Sequence, residues 1–439
     1  MNEDVTKEFL QLQEEYLQVW LQYAPKPPER GNNSYDVFIS YRSSDRAWAM
    51  ALYDALKLAG WEPFLDQYDL VPGSDLATSL EENLQASSSG VILWSSRTKD
   101  SEWCKRERQA MMSLKDTRRN SPSPFNFVFA KLDAEPLPLF SRADLFIDFE
   151  GSPEGPRGVN LLKLMCGMKG VALPHEAVQM AQKVDQDARQ IMVAINGAVE
   201  AGNPDRLREI ATSTAPGIFV SPGPLLAATQ GLLGLGHYED ALRVLTTALS
   251  YFPESVRAKQ LKGLALRRLK RYREAIDVLS ELKVAGHQDP ETLGILGAAW
   301  DGLYQESGKM LYLRRARELY RTAFQGDPKD YYTGINAASK SLFLGELQET
   351  ERLAAEVLPL LKDAGDGNDF WAGCTLGEVY LLQKDISSAA EQYQKVIDKH
   401  CCRGGDLAGT LQQAKRICNA LQLSEVKTDK VLAPFKLLE

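Results

Sequence analysis

Between Tyr35 and about Gly170 short apolar runs alternate with helical segments, and beyond about residue 176 the strand pattern stops. That switch separates a part built as a sheet flanked by helices from a part built of stacked helices. In the first part strands are expected at 35–40, 61–65, 89–95, 125–132 and 145–149, with helices at about 46–59, 75–86, 101–115 and 158–168. The run Val91-Ile92-Leu93-Trp94 is apolar at every position, as a strand covered on both faces must be. Alternating strands and helices with short links specify a parallel, doubly wound α/β sheet. In a flavodoxin-like order of 2-1-3-4-5 the chain reverses between strands one and three. Ligands bind beyond the carboxyl ends of the strands at that point. Two segments converge there: Ser40-Tyr41-Arg42 closes strand one, and Trp103-Cys104-Lys105-Arg106-Glu107 follows strand three.

Trp103 and Glu107 are spaced i, i+4 and are neighbours on one helix face. An aromatic plane beside a carboxylate suits a flat cationic leaving group on a sugar. Taken singly, each side chain keeps an ordinary alternative: a solvated helix residue for Glu107, core for Trp103, a surface charge for Arg42, a loop start for Asp66. Asp45 is expected to cap or open the helix that begins near residue 46. Pro72-Gly73 is a turn signal, with Ser74 or Asp75 opening the next helix. Cys104 has no histidine near it in sequence and reads as a packing residue.

The second part is all-α. Tyr238-Glu239-Asp240-Ala241-Leu242 is echoed thirty-four residues later by Tyr272-Arg273-Glu274-Ala275-Ile276, and Pro253, Pro290 and Pro328 punctuate successive units. This period, with small residues such as Gly263 and Ala265 at helix crossings, resembles tetratricopeptide (TPR) repeats. Such arrays present concave surfaces for a ligand, a partner protein or further copies. The organisation expected is an amphipathic N-terminal helix within 1–30, the sheet domain at 31–170, a helical linker at 171–220, the repeats at 221–400, and a last helix and tail at 401–439. The first helix carries Phe9, Leu12, Tyr16, Val19 and Tyr23 near heptad spacing, which fits either packing on the sheet domain or self-association.

A net charge of −8 argues against a general nucleic-acid binder. No apolar run approaches the roughly eighteen residues a membrane span needs. The acidic start Met1-Asn2-Glu3-Asp4 lacks a signal-peptide core, and six cysteines, four of them in expected helices, fit reduced thiols. A cytoplasmic protein is expected.

Three separated segments resemble a Toll/interleukin-1 receptor (TIR) domain of the NAD-cleaving kind. They are Phe38-Ile39-Ser40-Tyr41 at the end of strand one, Phe64-Leu65-Asp66 leading to Leu70-Val71-Pro72-Gly73, and Ser95-Ser96 leading through Trp103-Cys104 to Glu107. The resemblance covers about residues 35–170. It implies that Glu107 is catalytic and that Ser40, Tyr41, Arg42, Phe64, Asp66 and Trp103 contact the substrate. NAD would be the substrate, with no separate cofactor and no metal. It implies activity on self-association through the TIR and helical domains, and a bacterial, antiphage role. More weakly, Tyr331–Ala338 with Trp371 and Glu378 resembles the helical TRAF-binding region of apoptosis-signal-regulating kinases, which implies a regulatory module over about 176–400.

Other signals are faint. Gly231, Gly234 and Gly236 lie between helices and do not follow a strand, so they form no phosphate loop. His400-Cys401-Cys402 lacks further ligands at metal spacing. The basic run Arg257–Arg273 reads as a solvated face or as a seat for an anion in the groove. A non-enzymatic TIR/TPR adaptor or scaffold is the alternative function.

Overall fold

A computed structural model describes residues 21–42, 45–65, 76–96, 98, 102–137, 146–150, 155–213, 222–253, 255–364, 367, 369–400 and 404–438. Most of the expected N-terminal helix, Asp66, the Pro72-Gly73 turn, Cys401 and Cys402 lie outside the described residues, as does the side chain of Trp103.

Strands β1 (Val37–Ser40), β2 (Pro63–Phe64), β3 (Ser89–Trp94), β4 (Asn126–Lys131) and β5 (Phe146–Asp148) pair in parallel in the order β2-β1-β3-β4-β5. Ser40, the last residue of β1, lies opposite Ile92 of β3. Every residue of β3 is buried, as its unbroken apolar run requires. Helices α1 (Arg46–Leu58), α2 (Leu76–Gln85) and α3 (Glu102–Thr117) follow β1, β2 and β3, and α4 (Gly158–Lys169) follows β5.

Gly90 in β3 fixes how closely α3 approaches the sheet. A methyl group there would meet the sulfur of Met111 at 2.8 Å. Around this contact Phe38, Phe64, Ile92, Phe125 and Phe129 form an apolar core with Met111. Trp61 donates its indole N–H to the Pro25 carbonyl at 2.9 Å and ties the incoming chain to the domain.

Asp45 opens α1, as expected, but does not cap it. It occupies the N-cap position of α1, yet its side chain makes no capping hydrogen bond to that helix. It reaches across to the chain leaving β3 instead, as described below.

The chain divides into two compact bodies, Met1–Leu269 with Ala285–His287, and Lys270–Val284 with Gln288–Glu439. In the first, the sheet domain is followed by α5 (His175–Glu200), α6 (Pro204–Ala211), α7 (Gly223–Gly234), α8 (Tyr238–Tyr251) and α9 (Val256–Arg268). Asn203 caps α6, with Pro204 in the first turn where a missing N–H costs nothing. Ser255 caps α9, and its hydroxyl donates to Asp54 of α1 at 2.7 Å in a buried contact. The sheet domain and the first repeat helices of this body therefore share a polar bond shielded from water.

The second body contains α10 (Tyr272–Val284), α11 (Pro290–Ser307), α12 (Met310–Gly326), α13 (Tyr331–Phe343), α14 (Leu347–Val357), α15 (Phe370–Leu382), α16 (Ile386–His400), α17 (Gly404–Ala420) and α18 (Glu425–Leu432). The echoed motifs begin α8 and α10, and their alanines, Ala241 and Ala275, are fully buried. Gly377 lets α15 and α16 close, since a methyl group there would meet the ring of Tyr393 at 2.6 Å.

Inside this body sits a charged cluster drawn from four helices. Asp301 of α11 faces Lys340 of α13 at 3.5 Å and receives both terminal nitrogens of Arg416 of α17 at 3.1 Å. Gln305 donates to the same carboxylate at 2.9 Å, and the Arg416 guanidinium lies over the Phe343 ring. Gln413 of α17 donates to Glu378 of α15 at 2.9 Å.

Candidate active site

The order of the sheet places β1 and β3 side by side, so their carboxyl ends open one crevice at the point where the chain reverses direction across the sheet. Ser40 is buried at the tip of β1. Its hydroxyl donates to the Glu107 carboxylate at 2.5 Å across 67 residues of sequence. Glu107 lies on the second turn of α3 and is half-buried. A hydroxyl donating to a carboxylate at this separation is a charge-assisted bond, among the stronger kinds a side chain makes. It fixes a negative charge at the switch point, on regular elements on both sides.

The remaining expected residues are distributed unevenly. Tyr41 is buried and Arg42 half-buried on the chain leaving β1, so both stand at the same strand end as Ser40. Phe64 is fully buried: it stacks on Phe38 with ring centroids 5.1 Å apart and meets Tyr35 edge-on. It ends the short strand β2, which pairs with β1 at the edge of the sheet among the described residues, and so supports β1 from within the core. Trp103 begins α3 one turn before Glu107, and Cys104 is buried.

Sequence reasoning missed a second polar network on the chain leaving β3. Ser95 donates to Asp45 at 2.7 Å, and Thr98 lies 3.4 Å from the same carboxylate oxygen while donating to the Leu93 carbonyl at 3.1 Å. All three side chains are buried. The next residue, Ser96, gives its backbone N–H and its hydroxyl to Asp133 beyond β4, at 2.8 and 2.7 Å. The only hint was composition: Ser95-Ser96 directly follows an apolar strand.

At the other end of β1, Asp36 receives the Glu62 N–H at 2.7 Å and faces Arg30 at 3.0 Å. Burial pushes its carboxyl above the usual range. It stands a strand length from the crevice and supports the fold.

A five-stranded parallel sheet of this order, with a carboxylate held at its switch point and paired helices after it, is the arrangement that the TIR and TPR resemblances implied. Comparison with known families agrees: residues 37–162 match the TIR domain model, and residues 237–343 match the Tetratricopeptide Repeats-Sensor model. Over 108 residues the chain is 29% identical to the NAD(+) hydrolase PdTIR of Paracoccus denitrificans, covering 24% of this chain and 35% of that protein. Over 79 residues it is 37% identical to a protein of Brachypodium distachyon named as probable 2' cyclic ADP-D-ribose synthase BdTIR, covering 18% of this chain and 35% of that one. The chain thus spans about a third of the length of these relatives. Among solved structures, TTC0263, a thermophilic TPR protein of Thermus thermophilus, is similar at 21% identity over 45% of this chain and 98% of its own, with a TM-score of 0.36. The human IFIT1 dimer with PPP-AAAA is similar at 10% identity over 96% and 95%, with a TM-score of 0.43. Neither score bears on the arrangement of this chain. No helix among the described residues is long and apolar enough to cross a membrane.

Proposed function

We propose that the TIR domain cleaves the bond between nicotinamide and ribose in NAD: nicotinamide leaves with the bonding electron pair, and water, or a nucleophilic group of the dinucleotide itself, takes its place on the ribose and gives up a proton, yielding linear or cyclic ADP-ribose. The observation that carries this reading is the Ser40–Glu107 bond, which holds a half-buried carboxylate at the switch-point crevice. The nicotinamide of oxidised NAD is a cationic pyridinium and leaves without protonation. As it departs, positive charge builds on the ribose in an oxocarbenium-like state, as in glycoside hydrolysis. A fixed carboxylate stabilises that charge more than it stabilises the ground state, which is the condition for lowering a barrier. Ser40 keeps the Glu107 carboxylate oriented before substrate arrives, and Arg42 at the same strand end offers a cation to the dinucleotide phosphates. Similarity to proteins named as an NAD(+) hydrolase and a cyclic ADP-D-ribose synthase supports the same bond, since both reactions begin by losing nicotinamide.

In this reading the enzyme acts in the cytoplasm on its substrate NAD, with no separate cofactor. Activity follows self-association, and the TPR-like domain binds the trigger that permits it. NAD depletion on triggering is a form of bacterial, antiphage defence. The test is nicotinamide release from NAD by the full chain, followed across protein concentration in parallel with light scattering. Release is expected to rise with the assembled fraction. Assembled protein that leaves NAD intact would favour a non-enzymatic adaptor or scaffold.

A further inference from the structure

We infer that Asp45 is a positioning residue for the Glu107 carboxylate, acting through Ser95 and Thr98. The inference rests on the NAD-cleaving reading and adds a component to that site.

Asp45 stands where a helix N-cap should be, on α1 immediately after the chain that carries Tyr41 and Arg42. An aspartate in that position ordinarily turns onto the second or third backbone N–H of its own helix, a bond worth about 0.5–2 kcal/mol. This one makes no such bond. Its backbone N–H closes a turn onto the Arg42 carbonyl at 2.7 Å, and its carboxylate crosses to the neighbouring strand exit to receive Ser95 at 2.7 Å. Ser95 also accepts the Thr98 N–H at 3.3 Å, so carboxylate, serine and threonine close a small buried ring.

Its location gives the ring a purpose. It joins the chain leaving β1 to the chain leaving β3, the two strands that border the crevice. The chain leaving β3 runs directly into α3, which carries Glu107. Ser40 holds the Glu107 side chain itself, whereas the Asp45–Ser95 bond holds the exit of β3, which precedes α3 in the chain. Two bonds thus bear on the carboxylate: one from the tip of β1 to Glu107 itself, the other from the start of α1 to the exit of β3. Ser96, held by Asp133 from the β4 side, prevents the same segment from sliding the other way. A misplacement of about 1 Å at a reacting group can cost on the order of 100-fold in rate. Loosening this ring should therefore lower turnover while leaving dinucleotide affinity nearly intact, because the phosphate-facing residues stay on β1's own turn.

The test uses assembled full chain, with kcat and KM for nicotinamide release and a folded-state check by circular dichroism. Asp45→Ala and Ser95→Ala are each expected to lower kcat roughly 10- to 100-fold with KM changed less than about 3-fold. The Asp45→Ala/Ser95→Ala double variant should lose less than the product of the two single losses, because the two changes share the Asp45–Ser95 bond. Asp45→Asn keeps an acceptor for Ser95 and should recover most of the loss, which distinguishes a tether from a charge effect. Full activity in folded Asp45→Ala, multiplicative losses in the double variant, or an Asp45→Asn loss as deep as alanine would each overturn the inference while leaving the enzymatic reading standing. A wild-type assembly that releases no nicotinamide would overturn both.

Discussion

Replacing Glu107 with glutamine is expected to lower nicotinamide release by about 1,000-fold or more without unfolding the domain. Glutamine retains a carbonyl oxygen that can accept the Ser40 hydroxyl, now received by Glu107 at 2.5 Å, so the packing at the tip of β1 is preserved. What disappears is the negative charge. Removing one oriented polar group that stabilises transition-state charge costs on the order of 100- to 1,000-fold. A full charge held at the ribose should cost at least as much. Glu107→Ala should be equally inactive and somewhat less stable, because it leaves the buried Ser40 hydroxyl without its acceptor. The assay is nicotinamide release at matched light-scattering mass. A glutamine variant within about tenfold of wild type would remove Glu107 from the chemistry.

The second large effect lies in the helical body and concerns stability. Asp301 is almost fully buried and is the acceptor shared by Lys340, Arg416 and Gln305. Burial alone would raise its carboxyl, but the Lys340 charge and the Arg416 hydrogen bonds outweigh it and hold the pKa at about 2, below the ordinary 3.8. Lys340 is lowered as well: burial, with the Arg416 charge pushing in the same direction, takes it below the usual lysine range despite the pull of Asp301. Asp301→Ala would leave Lys340 buried with no carboxylate facing it at this position. Breaking a buried pair from one side costs about 3–5 kcal/mol. For a body of this size that corresponds to a drop in melting temperature on the order of 10 °C.

The same group fixes a pH window. A carboxyl whose pKa is depressed on folding adds stability above its unfolded value and loses it as pH falls through its folded value. For Asp301 the contribution, about 2 kcal/mol, is complete above about pH 4 and disappears toward pH 2. Wild-type helical stability should fall steeply across that window, and the Asp301→Ala variant should show a shallower fall. Equal acid sensitivity in the two proteins would show that the cluster contributes nothing to it. Circular dichroism melts from pH 2 to 6 measure both.

Much of this was readable from residue order. The unbroken apolar run at β3 revealed a strand covered on both faces, and strand–helix alternation revealed a parallel sheet; in the flavodoxin-like order, which the structure has, these place Ser40 and Glu107 in one crevice. The echo at Tyr238 and Tyr272 marked two helix starts, because buried alanines must recur wherever helices cross. Asp45 was legible as the start of α1 but not in its side-chain contact, since a local rule for helix caps cannot see a serine fifty residues away that takes the same carboxylate. Phe64 sits in the position its motif implies, but its ring turns inward because β2 is only two residues long and must be anchored on Phe38. The Asp301–Lys340–Arg416 cluster left no sequence trace. Its members are spread over 115 residues on separate helices, and each looks alone like an ordinary surface charge.

The most direct test is a structure of the assembled chain with an NAD analogue whose nicotinamide–ribose link cannot break. The account predicts the analogue's ribose at the ends of β1 and β3, with a Glu107 carboxylate oxygen within hydrogen-bonding distance of a ribose hydroxyl. A dinucleotide seated elsewhere, or a Glu107 carboxylate pointing away from the sugar, would contradict it.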